Sequence, residues 1–234
     1  MTTSVFCCRK LIVHIHVFRR STMKVPAFSN FLISLKSLIY PEKPYIRKII
    51  QEMKERYKVA GKTVQVADKG LNCARNIYAA VVEAQDGYIF SKSVHGKGLS
   101  EKEKQWLLLE NDANVYTDYR DKSGKLLFRL KSCVDTFSYK FKEIDPETGE
   151  EKETSFCVKE KRIVSYNPSL AQKQKAEIMK MVDKAANYTT YKKMAREDLK
   201  YAGYNLLVTS ELDMEPLQVY HTYHNLWKIE ESFR

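Results

Sequence analysis

The sequence predicts an α/β protein, and three observations carry that reading. A helical pattern, a short alternating strand and a second helical pattern follow one another between Pro44 and Ala84. A strand-rich middle follows, and the chain closes on an apolar strand leading into an amphipathic helix that begins at Pro216. Helices alternating with strands in this way build layers around a parallel pair of strands.

Taken in order, Pro44 suits the first turn of a helix to about Tyr57, with Ile46, Ile49, Ile50, Met53 and Tyr57 on one face. Gly61 breaks it, and Thr63-Val64-Gln65-Val66-Ala67 alternates as a strand ending at Asp68-Lys69-Gly70. Asn72 is the expected N-cap of a helix through Ala84. Tyr88 to Ser91 reads as a strand, and Ser100-x-x-Glu103 as a capping box opening a helix to about Glu110. Strands are expected over Leu126–Lys131, Thr136–Lys142, Thr154–Lys159 and Arg162–Tyr166. The turn residues Asp145-Pro146-Glu147-Thr148-Gly149 join the middle two as a hairpin. Asn167-Pro168 caps and starts a long lysine-bearing helix to about Ala186, and a short helix around Arg196–Tyr201 ends at Gly203. Tyr204–Thr209 reads as a buried strand before the terminal helix.

Bulk properties bound the function classes. With 234 residues, 44% of them hydrophobic and 12% aromatic, the chain can bury one sizeable core, with room for an inserted subdomain. Forty Lys and Arg against 29 Asp and Glu leave a net charge of +11, which favours a polyanionic partner. Five scattered cysteines form no CxxC pair and read as reduced thiols, the expectation for a cytoplasmic protein. No apolar run reaches the roughly 20 residues of a membrane span. Leu11 to Phe18 is short and carries His14 and His16, so it is not read as a signal peptide. Cys7, Cys8, His14 and His16 match no closed zinc spacing.

On the terminal helix Tyr223, Leu226, Trp227, Glu230 and Phe233 share one face by their spacing of three or four. That face is apolar except for Glu230. Such a carboxylate either sits at the edge of the stripe and reaches water, or serves as a ligand held on a rigid helix. His221 and His224 are expected to flank the stripe and face solvent.

Tyr223-x2-Leu226-x3-Glu230, within Tyr-His-Asn-Leu-Trp-Lys-Ile-Glu-Glu-Ser-Phe-Arg, resembles the C-terminal signature Tyr-x2-Arg-x3-Glu-x6-Lys of DDE transposases of bacterial insertion sequences. Val66-Ala67-Asp68-Lys69-Gly70-Leu71 resembles the strand end that carries the second aspartate of their Asp-Asp-Glu triad. Leu226 stands at the signature's Arg, and its Lys position falls three residues beyond Arg234.

The resemblance implies an incomplete ribonuclease H-like fold over residues 43–234, with a mainly β insertion over about 92–193. Residues 1–42 form an atypical segment foreign to the family, and the chain is expected to be truncated at both ends. It implies Asp68 and Glu230 as catalytic residues and ligands of Mg2+ or Mn2+. Tyr223 would contact DNA or buttress the helix, and Lys159, Lys161 and Arg162, with the lysine-rich helix that follows, would neutralise phosphates. The implied partner is DNA, both transposon ends and target, with a homodimer or association with full-length transposase as further assemblies. The implied setting is the bacterial cytoplasm, on the nucleoid. No aspartate precedes Asp68, so the first catalytic Asp is missing. The expectation is therefore a transposase-family chain inactive in strand cleavage and transfer, the alternative being a non-catalytic basic DNA-binding protein.

Overall fold

The computed structural model describes residues 11–17, 30–35, 50–52, 54–56, 61–95, 99–110, 115–145, 148–184, 195 and 197–231. The helix expected from Pro44 lies largely outside these residues, as do the side chains from Leu226 onward.

A mixed sheet organises the chain. Its strands are β1 (Leu11–Val17), β2 (Asn30–Leu35), β3 (Thr63–Ala67), β4 (Gly87–Lys92), β5 (Thr117–Arg120), β6 (Leu126–Ile144), β7 (Glu151–Tyr166) and β8 (Tyr204–Thr209). Their order across the sheet is β2-β1-β3-β4-β8-β7-β6-β5. Among the described strands only β3 and β4 pair in parallel; the other neighbours are antiparallel. The parallel pair needs a crossover. Helix α1 (Ala74–Tyr78) supplies it, running into a π-helical turn over Ala79–Glu83. Further helices are α2 (Glu101–Leu108), α3 (Pro168–Lys184) and α4 (Pro216–Glu231), and the described residues 50–52, 54–56 and 197–200 are also helical.

Several expected elements form with other boundaries. Two pairs of expected strands fuse into the 19-residue β6 and the 16-residue β7. They are paired from Arg129–Tyr166 to Ile144–Glu151 around the turn at Asp145–Gly149. Pairing runs unbroken through Ser132–Asp135 and Glu160–Ile163, and Glu160 and Lys161, the charges that interrupt the apolar pattern of β7, are buried within the ladder. Strand β5 was not expected: Thr117-Asp118-Tyr119-Arg120 has one half-buried side chain and therefore no apolar alternation. Cys73, and not Asn72, occupies the N-cap of α1, because the Asn72 amide is held by the Ser91 carbonyl at 2.9 Å. Residues 1–42, which show no clean period, supply β1 and β2, and β1 joins the main sheet against β3. The capping box at Ser100 and Glu103 forms as its residues predict.

The sheet separates two cores. Ala67, Tyr88, Phe90, Val164, Leu206 and Val208 pack on one face with Ile77, Ala80 and Leu107. Val64, Val66, Ile89, Ile163 and Leu207 pack on the other with Val219, Tyr220 and Tyr223 of α4. The two-residue alternation of strand side chains produces this division. It also sends Asp68, two residues after Val66, to the α4 face.

Candidate functional site

Asp68 is the first residue beyond β3, at the C-terminal end of the parallel pair, where open α/β sheets gather ligand-binding groups. The chain turns immediately, with the Leu71 amide donating to the Asp68 carbonyl at 3.0 Å. The register pairs Val66 with Ile89, and two residues further along each strand Ser91 stands beside Asp68.

One oxygen of the Asp68 carboxylate is saturated. Oδ1 accepts from the Lys69 amide at 2.7 Å, the Ser91 hydroxyl at 3.0 Å and the Tyr223 phenol at 3.2 Å. No described donor reaches Oδ2, and the residue as a whole is exposed. Tyr223 is 4% exposed. Burial, reinforced by the neighbouring Asp68 charge, pushes its phenol well above the ordinary tyrosine range, so it is a permanent donor. Tyr223 and Asp68 therefore meet directly. Glu230 lies on the same helix two turns beyond Tyr223, about 10 Å along the axis, and its side chain is outside the described residues.

The basic residues expected to meet phosphate divide. Lys159 is exposed. Lys161 is 9% exposed, and its ammonium donates to the carbonyls of Leu212 and Met214 at 2.5 Å each. Arg162 is 4% exposed. Its guanidinium contacts Glu103, donates to Glu160 at 3.3 Å and lies 3.2 Å from the centre of the Phe137 ring. Lys161 and Arg162 thus turn their charge inward. Strand alternation sends Lys161 and Arg162 to opposite faces, and both pair with β8, whereas Lys159 lies beyond the end of that pairing.

Arg162 belongs to a buried network that the sequence reading missed. Glu160 is fully buried, accepting the phenols of Tyr88 and Tyr139, the latter at 2.5 Å. Glu103 pairs with Lys92 at 2.7 Å as well as with Arg162. Burial raises the Glu103 carboxyl, but hydrogen bonds from Lys92 and Ser100 outweigh it and hold the pKa at about 2. The network floors a cavity of about 570 Å³ walled by Trp106, Phe137 and Tyr139. The missed signal was the Glu160-Lys161-Arg162 run, whose mixed charge reads as surface from composition alone.

His224 corrects another expectation. It packs on Tyr220 at 4.1 Å between ring centroids, with Nε2 buried and unpartnered. Burial, then the His221 charge, lowers its pKa to about 4, whereas His221 is exposed. The buried arc of α4 runs from Val219 through Tyr223 to Tyr220, and His224 continues it one position on.

No cluster of three potential metal ligands occurs among the described residues. A pair of divalent ions needs more acidic oxygens than Asp68 alone supplies, so the described residues do not fit such a group. No family model, curated protein or solved structure matches the chain. What fold and site define together is a mixed α/β protein with one ordered, open carboxylate at a strand end. No helix in the described residues is long and apolar enough to cross a membrane.

Proposed function

We propose that the chain derives from a DDE transposase of an insertion sequence, with an incomplete ribonuclease H-like core and β5–β7 as its insertion. Its ancestral chemistry is metal-dependent DNA strand cleavage and transfer, which this chain does not perform by itself. One observation carries the proposal. Tyr223 of the terminal signature and Asp68 of the strand-end motif, the two points of resemblance, are in hydrogen-bond contact. Unrelated coincidences of sequence have no reason to converge on one strand end.

In this reading Asp68 offers Oδ2 to a hard Mg2+ or Mn2+, and Glu230 supplies a second ligand from α4. Two carboxylates hold a metal pair poorly, and no aspartate precedes Asp68 to complete a triad. The net charge of +11 supports DNA as the partner.

The test is nicking of end-labelled duplex DNA by the purified chain with Mg2+ or Mn2+. No cleavage above background is expected. Robust cleavage abolished by both Asp68→Ala and Glu230→Ala would overturn the assignment of inactivity and strengthen that of ancestry.

A further inference from the structure

Helix α3 joins the body by one narrow face. Asn167 caps it, accepting from the Leu170 amide at 3.0 Å. Ala171 packs against Gly203, and Gln174 accepts the Gly203 amide at 2.7 Å. Ala171 is the one buried residue of the described helix, with Gln174, Ile178 and Val182 half-buried along the same stripe. Lys173 and Lys180 each follow an inward residue, Ala171 and Ile178, by two positions. That rotation of about 200° carries both to the far side of the helix, two turns and about 10 Å apart. Lys173, Lys175 and Lys180 are exposed, and none has an ion-pair partner among the described residues. Elsewhere Arg129 pairs with Glu110 and Asp118, Lys142 with Glu151 and Lys140 with Glu153, while Lys122, Lys152 and Lys159 are exposed without an ion pair among the described residues.

We propose that the outer face of α3 is a docking surface for the phosphate backbone of duplex DNA, engaged through Lys173 and Lys180. The proposal rests on the reading of the chain as a DNA-associated protein, and it names where the DNA is held. Charge complementarity commits the face to a polyanion: exposed ammonium groups without an ion pair on one helix face gain from meeting phosphates, which releases condensed counterions. Glu177 lies between the two lysines, four residues after one and three before the other, and opposes the same partner. Removing its charge should therefore tighten binding, which a merely solvated helix face would not do.

The experiment is equilibrium binding of a labelled duplex of arbitrary sequence across about 50 to 200 mM salt. The doubly substituted Lys173→Gln, Lys180→Gln protein should flatten the slope of log K against log salt by about 1.8, the value for two lost phosphate contacts. Glu177→Gln should bind about threefold more tightly. Lys140→Gln with Lys142→Gln, whose ammonium groups are already paired, should keep the wild-type slope. Wild-type binding whose slope the Lys173 and Lys180 changes leave intact overturns the inference and leaves the DNA-associated reading standing. Absence of salt-dependent binding by the wild-type chain overturns both. Sedimentation of the DNA-free protein as a dimer that the same double variant dissociates would assign the face to a second copy and overturn the proposal.

Discussion

The Tyr223 phenol donates to Asp68 Oδ1 at 3.2 Å across 155 positions of sequence. It links the terminal helix directly to the end of β3. Tyr223→Phe removes the donor while keeping the ring in the core, so the expected loss is one hydrogen bond to a charged acceptor, about 1–2 kcal/mol. Asp68→Ala removes the acceptor. In a double-mutant cycle read by urea denaturation, the pair should couple by about 0.5–1 kcal/mol. Additive effects would mean that the contact does not hold α4 to the strand end.

Glu160 makes a larger prediction. Its carboxylate is fully buried beside the Arg162 guanidinium and two phenols. Glu160→Gln keeps the volume but withdraws the charge, leaving Arg162 with Glu103 alone in the interior. Breaking one side of a buried pair costs about 3–5 kcal/mol. The denaturation midpoint should fall accordingly, whereas Lys142→Ala on the exposed ribbon should change stability by less than about 1 kcal/mol. A neutral Glu160→Gln would show that the network does not join β4, β6, β7 and α2 energetically.

The ease of reading each element from sequence tracks how local its determinants are. The capping box of α2, the turn at Asp145–Gly149, the Asn167 cap and the apolar β8 are fixed by residues within a few positions, and each forms as read. Asp68 at a strand end was legible because Thr63–Ala67 alternates and then stops. The Asp68 neighbour Ser91 was not, because it depends on the register between β3 and β4, a long-range quantity. Lys161 and Arg162 were misplaced for a related reason: a charged residue is surface by default, and only the partners Leu212, Met214, Glu103 and Glu160 make burial tolerable. Those partners come from three separate stretches of chain, and no periodicity announces them.

Acid should destabilise the fold in two separable windows. His224 is held neutral by burial, with its folded pKa at about 4, below the unfolded value of about 6.5. Between these values the unfolded chain binds a proton that the native chain refuses, so stability falls as pH drops from about 6.5 to about 4. The shift corresponds to about 3 kcal/mol at most. Glu103 acts lower: its folded pKa of about 2 lies below the unfolded value near 4.5, so its contribution is present above 4.5 and lost as pH falls towards 2. Denaturation midpoints of His224→Phe across pH should stay flat in the upper window and still drop in the lower one. A wild-type-like drop between pH 6.5 and 4 in that variant would exclude His224 as its source.

Gly203 controls the root of α3. Its φ of +85° lies in the left-handed region that disfavours a side chain, and a Cβ there would sit 2.5 Å from the Ala171 Cβ and 2.8 Å from the Asn167 carbonyl oxygen. Both obstacles are rigid, one being backbone and the other the short side chain that seats the helix. Gly203→Ala therefore combines backbone strain with overpacking, each about 1–3 kcal/mol, for an expected loss of about 3 kcal/mol. Because Gly203 also donates to Gln174 and accepts from Asn167, the damage should concentrate at the start of α3. Hydrogen exchange should show the amides of Leu170 and Ala171 losing protection before those of β8. Protection unchanged at α3, with stability within about 0.5 kcal/mol of wild type, would mean that the helix is not seated on this glycine.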